Sequence, residues 1–351
     1  MASTLLIGSA NTRIGATGTL YRSQDGKRFE PAKGLPIDTG VQAIAAHPTQ
    51  AGLVYAATKS GVFRSSDAGA SWSRVLAPTT TGEEFWSVAF DPSRPHLVTV
   101  GASPLRVHRS EDGGETWTRS DALPEVCDMS VGKMFKHSRL MGLTFDPNNP
   151  RLTFGACETA GFVVSEDGGV HWENRSQALL EIVRSTPSYR NQINVPDDNE
   201  GILDGHAVCV SKNHPGLVFY ACRVGLFSTR DLGRTWRDHE IARFAPISYA
   251  RDIRVDPVDG DCLYLALSIS SRSEAGALYR STDAGETWRR ADESVTARST
   301  IMGMGAHPRD AGKVVYVTRG GQVHWSEDGC ATWQAAQLPP ESGDAYVAAI
   351  L

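Results

Sequence analysis

The chain of 351 residues contains no CxxC pair, and its six cysteines, at positions 127, 157, 209, 222, 262 and 330, are scattered. Without a dense framework they read as reduced, small core residues, which fits a cytoplasmic setting. No stretch approaches the roughly 18 consecutive apolar residues of a membrane span. Basic charge is not in excess either: 35 Lys and Arg stand against 40 Asp and Glu, a net charge of -5. That balance supplies no field for nucleic acid or an anionic membrane. The N-terminal "MASTLLIGSANTRIG" lacks a basic n-region and has an apolar run of only residues 5–7, so no signal peptide is expected. No glycine-rich phosphate loop follows a strand pattern, and there is neither a nucleophile elbow nor an HExxH-like spacing. Nucleotide and α/β-hydrolase chemistry are thereby set aside. No cofactor is expected, and a divalent metal on His137, His206 and Asp204 or Glu158 has no support from spacing.

What the chain has in abundance is turns with an aromatic beside them: 34 glycines and 8 tryptophans. Six of the tryptophans end copies of one repeating stretch. It reads "SSDAGASW" at 65–72, "SEDGGETW" at 110–117, "SEDGGVHW" at 165–172, "TRDLGRTW" at 229–236, "STDAGETW" at 281–288 and "SEDGCATW" at 326–333. A shortened copy, "SQDGKRF", occupies 23–29. Asp25, Asp67, Asp112, Asp167, Asp231, Asp283 and Asp328 are therefore equivalent, 42, 45, 55, 64, 52 and 45 residues apart. A catalytic aspartate is not copied seven times, so these carboxylates read as turn fasteners. The first copy is one residue short and the last has Cys330 in place of glycine, which predicts looser turns there.

The flanks repeat as well. An alternating strand ending in a turn precedes each box, as in "WSVAFDPSRP" or "MGMGAHPRDAG", and a second and third strand follow before the box. A fourth begins at the tryptophan. Four short strands per repeat with turn signals between them predict the blade of a β-propeller. The terminal "AYVAAIL" at 345–351 reads as a first strand, and "TLLIGSA" and "GTLYRS" near the N-terminus as a second and third. The expected fold is all-β: a single seven-bladed propeller over 1–351, its two chain ends completing one shared blade and leaving no free sheet edge.

The motif S/T-x-D-x-G-x-T-W is that of the Asp-box, or BNR repeat, and over its whole length the chain resembles the Asp-box propeller superfamily. That group includes sialidases, xyloglucan-cleaving glycoside hydrolases, sortilin-type receptors and photosystem II stability and assembly factors. The resemblance implies that each box is a turn between third and fourth strands, on the face away from the ligand. A site is then expected on the other face, at the channel mouth. The position five residues before His47, Asp91, Asp146, Ser211, Asp256 and His307 should line it, giving Gln42, Trp86, Met141, His206, Arg251 and Met302, with Tyr346 as the seventh. The loops between second and third strands add Lys59, Glu158, Arg223 and Arg319, and the longer loops add His137, Arg139 and Asp204. Residues 174–205 form a long loop in this reading, a candidate lid.

Arginine captures carboxylate, sulfate or phosphate through its planar fork. Arg223, Arg251, Arg319, Lys59, Arg139 and Trp86 are the expected substrate-binding side chains, and His206, Glu158, Tyr346 and His137 the expected catalytic ones. The function read from these residues is a glycosidase-like hydrolase, or a lyase, acting on an anionic small molecule or sugar acid. A sialidase proper is disfavoured: its Arg-Ile-Pro motif is missing, "TRIGA" at 12–16 being the nearest fragment, and that family has six blades. A two-carboxylate glycosidase offers many carboxylates and no pair that spacing selects. The alternative is a non-catalytic platform for a protein partner, as the resemblance to photosystem II assembly factors implies.

Overall fold

The computed structural model describes residues 3–10, 18–120, 123, 138–189 and 200–351. These residues form seven four-stranded antiparallel sheets, the blades of a seven-bladed β-propeller. Contacts divide the chain into two compact units, one of residues 1–88 with 254–351 and one of residues 89–253. No helix is long and apolar enough to cross a membrane.

In the first unit, blade I is built from both chain ends. Strand Asp344–Ile350 pairs with Leu5–Ala10, Leu5 lying opposite Ile350 and Ala10 opposite Asp344, and Leu20–Ser23 and Glu30–Pro31 complete the sheet. Its Leu6, Leu20 and Val347 pack against Val41, Val54, Phe63 and Trp72 of blade II in one apolar cluster. A sheet between two others is covered on both faces, so its strands lose the one-sided alternation of an exposed sheet. Strand Val314–Thr318 of blade VII, with the sequence VVYVT, is buried at every residue.

The second unit holds blades IV and V. Phe154, Phe162, Val208, Tyr220 and Phe227 fill the layer between them. The segment expected as a loop over 174–205 is different in structure. Helix α1 spans Gln177–Ser185 and helix α2 spans Glu200–Leu203, with Leu179, Leu180, Val183, Ile202 and Leu203 buried in that same layer. The apolar residues of both helices are buried in that layer, which is what holds these parts of the segment in place. Residues 190–199, the middle of the segment, lie outside the described residues.

The boxes are turns, held as their chemistry demands. Asp112 accepts the backbone N–H groups of Glu115 and Thr116 on Oδ1, at 3.0 and 2.9 Å, and the hydroxyl of Thr116 on Oδ2 at 2.6 Å. Ser110 donates to Asp112 at 2.8 Å and accepts from the N–H of Gly114 at 2.7 Å. The x-Gly dipeptide after the aspartate has two consecutive positive φ values, as at Gly113 (71°) and Gly114 (88°), which is why glycine recurs there. Four tryptophans close their turns: Trp72, Trp117, Trp172 and Trp288 donate their indole N–H to the glycine carbonyl three residues earlier, whereas the buried Trp236 indole N–H has no partner among the described residues.

The two atypical copies are not loose. Cys330 adopts φ 71° and its N–H still reaches Ser326 at 2.9 Å. Only Trp333 changes partner, donating to Ala291 O at 2.7 Å. In the short first copy Asp25 accepts from Lys27 and Arg28 N–H at 2.8 and 2.9 Å. Serine and carboxylate, not the exact loop length, carry these turns. Five of the boxes also dock on the turn between first and second strands, as Gly113 N does on His96 O at 2.8 Å and Gly329 N on Gly312 O at 3.0 Å. His47 and His307 do in those turns what aspartate does elsewhere, their Nδ1 accepting backbone N–H groups two and three residues on. Cys157, Cys209, Cys222 and Cys262 are buried free thiols, Cys330 is partly exposed, and Cys127 lies outside the described residues.

Candidate functional site

Five of the seven residues aligned as channel-lining share a backbone feature that no single repeat reveals. In the first strands of five blades the ladder register slips at that position: between Val41 and Ala43, Leu140 and Gly142, Gly205 and Ala207, and Ile301 and Gly303, and where Gly8 and Ser9 face Val347 and Ala345. The skipped residues are Gln42, Met141, His206, Met302 and Tyr346. A β-bulge leaves its extra residue out of the ladder and re-aims the side chain, a device common beside active sites.

Within the second unit the bulge at His206 sits in a cluster of charged side chains. Strand Arg139–Phe145 of blade IV sets Arg139 opposite Glu158 at the end of Thr153–Glu158, and their side chains form an ion pair, Nη1 to Oε2, of 2.8 Å. Asp204 immediately precedes strand Gly205–Val210. Its Oδ2 lies 3.5 Å from His206 Nε2 and 3.6 Å from Arg223 Nη1, and its backbone carbonyl accepts the N–H of Arg223. Gly205 lets this approach happen, because a Cβ there would stand 2.7 Å from the Tyr220 hydroxyl and 3.0 Å from Cys157 N. Asp204 Oδ1 is buried with no hydrogen-bond partner. His206 is fixed at its other nitrogen, Nδ1 donating to Ala250 O at 2.8 Å, so Nε2 faces Asp204 and the Tyr249 hydroxyl, 3.3 Å away.

The two carboxylates are driven in opposite directions. Burial, and then the negative charge of Asp204, push Glu158 above the ordinary carboxylate range, against the pull of Arg139, Arg251 and His206. Burial works on Asp204 too, but the charges of His206, Arg223 and Arg251 together with the imidazole hydrogen bond outweigh it and hold its carboxyl below that range. One cluster thus contains a carboxyl inclined to keep its proton and a carboxylate inclined to stay ionised.

Of the expected site residues, Glu158, His206, Arg139, Arg223 and Arg251 fall in this cluster. Tyr249 is the member that sequence reasoning missed. Its signal was available, since it lies two residues before Arg251 in strand Tyr249–Val255 and so on the same face. Trp86, Tyr346, Lys59 and Arg319 belong to the first unit. There Trp86 and Tyr346 meet edge to face, ring centroids 6.3 Å apart. Arg319 is engaged in structure: its Nε donates to Asp344 Oδ2 at 2.7 Å and its Nη1 to Ser271 O at 2.6 Å. His137 lies outside the described residues. Among the described residues no three His, Cys, Asp or Glu side chains converge as ligands of a metal ion.

The class these features define is a seven-bladed propeller with a buried carboxylate, histidine and arginine cluster beside a bulged first strand. No family model matches the chain. It is 23% identical over 300 residues to the probable oligoxyloglucan-reducing end-specific xyloglucanase of Neosartorya fischeri, a match covering 76% of this chain and 35% of that protein. The chain thus spans about a third of that relative's length. Among solved structures it resembles the GH74 enzyme of Niastella koreensis, with a TM-score of 0.62 and 18% identity over 85% of this chain and 45% of the other. It also resembles YCF48 from Cyanidioschyzon merolae, with a TM-score of 0.58 and 18% identity over 89% and 88% of the two chains. A structure of YCF48 bound to a D1 peptide matches with a TM-score of 0.55. At these identities the structural likenesses establish the fold.

Proposed function

We propose that the protein is a glycosidase-like hydrolase of an acidic glycan, with Glu158 as proton donor and Asp204 as the ionised partner. The observation that carries this reading is the opposite displacement of two carboxyls in one cluster, the arrangement that separates acid from base. Glu158 gives its proton to the glycosidic oxygen as the bond from the anomeric carbon to that oxygen breaks. Asp204 takes a proton from the water that adds to the anomeric carbon, and His206 and Arg223 keep it ionised until then. Proton exchange with solvent resets the pair. Tyr249 and Ala250 O hold the imidazole in place. While Glu158 is protonated, the guanidinium of Arg139 is released from its ion pair, and Arg139 with Arg251 can receive the carboxylate of a uronic acid. The xyloglucanase names of the curated relatives support glycan hydrolysis in general. The acidic substrate rests on the arginines.

The test is release of reducing ends from uronic acid-containing oligosaccharides and from neutral xyloglucan fragments. Wild-type protein should cleave the acidic set, and Glu158→Gln should lower kcat by about 10²–10⁴-fold, the usual share of general acid catalysis. Cleavage of neutral fragments alone would remove the acidic specificity. No cleavage of either set, or an unimpaired Glu158→Gln, would sink the hydrolase. A second reading, a peptide-binding platform, is favoured by one observation: this chain matches 88% of YCF48 but 45% of the GH74 enzyme. On that reading Arg223→Ala abolishes capture of a partner polypeptide while no glycan is turned over.

A further inference from the structure

The boxes repeat, but one position beside them does not. In blade VI the third strand, Gly276–Ser281, and the fourth, Arg289–Arg290, pair so that Arg280 lies directly opposite Arg289. Directly opposed residues of an antiparallel pair share a face with Cβ atoms about 4.5–5.5 Å apart, and like charges there are unfavourable. The equivalent pairs are otherwise compatible: Arg22 faces Glu30, Arg64 faces Ser73, Arg109 faces Thr118, and Trp325 faces Gln334. Arg237 in blade V faces Ser228.

Neither Arg280 nor Arg289 is neutralised by a carboxylate among the described residues. Arg280 donates to Cys262 Sγ at 3.2 Å and to Gly329 O at 2.9 Å, and neither of these partners is a carboxylate. Arg289 is exposed. Arg290 is the one with a partner, Asp292, at 3.0 Å. The nearby box carboxylate of Asp283 is occupied by Ser281 and by the N–H and hydroxyl of Thr287. Against these side chains lies a cavity of about 420 Å³, lined by Arg280, Arg289, Arg290, Thr282, Thr287 and Cys330 among others.

We propose that this cavity is a binding site for the phosphate or sulfate group of a small molecule. Two guanidiniums with no carboxylate partner are the complement of a tetrahedral oxyanion: Arg289 can donate two parallel N–H bonds, and Arg280 adds the N–H groups that it does not give to Cys262 and Gly329. The volume is an order of magnitude more than the roughly 30 Å³ a water occupies in the liquid, so it takes the oxyanion together with a sugar-sized carrier. The site does not depend on the Glu158 chemistry, and none of its residues belongs to that cluster.

Calorimetric titration of the full chain tests this with inorganic phosphate, a hexose 6-phosphate and a hexose 6-sulfate, each against sodium chloride of equal ionic strength. The hexose esters should bind at least as tightly as inorganic phosphate, and whichever ester is tighter identifies the group. Arg289→Gln, a change at an exposed strand position that leaves folding intact, should weaken binding at least tenfold. Arg309→Gln, at an exposed turn elsewhere, should leave it unchanged. Absence of binding beyond the chloride control, or equal affinity in Arg289→Gln and wild type, would overturn the proposal. Binding of inorganic phosphate with exclusion of both esters would refute the carrier-sized site.

Discussion

Two sets of aspartates in this protein use the same functional group to opposite ends. The box carboxylates stand at the surface and accept several short bonds from their own turn. Those donors hold Asp112, Asp25 and Asp328 at about 2, well below the ordinary value, with burial opposing only weakly. The Asp204 carboxyl is buried and that of Glu158 largely so; both receive few donors and are set against each other by their neighbours' charges. A carboxylate saturated by backbone donors has no lone pair left for a substrate. One that is buried with an oxygen unpartnered, as Asp204 Oδ1 is, carries an unmet demand that a ligand or water can satisfy. Solvation and donor count, not residue type, separate fastener from reagent.

The largest effect that would sharpen this contrast is on activity. Asp204→Asn should reduce glycan turnover by about 10²–10⁴-fold while leaving the melting temperature near that of wild type, read by reducing-end release and calorimetry on the same samples. Asp67→Ala should do the reverse. It removes the acceptor of Ser65, of Ser71 N–H and of the Ser71 hydroxyl, and should lower the melting temperature by roughly 2–4 °C with turnover preserved. If Asp67→Ala abolished turnover in a protein of unchanged stability, the separation of roles would be wrong.

The next contrast is in pH, and its sign differs between the regions. A box aspartate whose folded value is depressed contributes stability that is complete above its unfolded value, near 4, and is lost as pH falls toward about 2. Glu158 is raised in the folded state, so its contribution is complete below its unfolded value and is lost as pH climbs through the raised one. His324 adds a third signature. It is buried against Tyr316, neither ring nitrogen has a hydrogen-bond partner, and burial, followed by the charge of Arg298, pulls it down to about 4. A depressed histidine favours the neutral ring, so its stability is lost between about 6.5 and 4 as the unfolded chain binds the proton first. Acid melts should therefore show two stages, and His324→Phe should shrink the upper one, leaving the share of His307, whose imidazole burial also lowers. A single stage unaltered in His324→Phe would contradict this assignment.

Most of the fold was legible in the sequence because the box is a local code. Aspartate, two positions tolerant of positive φ and a tryptophan specify a turn without reference to anything distant, and seven copies count the blades. The pairing of Leu5–Ala10 with Asp344–Ile350 was legible for the same reason, since each end is an incomplete repeat. The helices of 177–185 and 200–203 were not, because their apolar residues face a layer supplied by Phe162, Tyr220 and Phe227 from two other segments. The site was legible by half. Alignment of repeats picked out Glu158, His206, Arg223 and Arg251, but the bulge that takes His206 out of its ladder is a register between strands and is not written in either strand alone. The choice of Asp204 as partner to Glu158 depended on distances that no spacing encodes. Arg319 looked equivalent to Arg223, yet Asp344 and Ser271 O engage its guanidinium.

The smallest predicted effect tests how strictly the box code is enforced. Cys330 holds φ 71° where most other boxes have glycine, and a side chain in that region costs on the order of 1 kcal/mol. Its thiol offsets part of that by packing, like Ala291 and Trp333, against the apolar layer shared by blades VI and VII. Cys330→Gly relieves the backbone and removes the packing, so the net change should be within about 1 kcal/mol, with the turn's Ser326 bond retained. Cys330→Val should instead destabilise by more, because a β-branched side chain at positive φ is a true outlier. The difference between the two variants, read as a shift in denaturation midpoint, isolates the conformational term from the packing term. Equal midpoints for glycine and valine at this position would mean that packing alone sets the residue, and that the second glycine of the box is not required by its backbone.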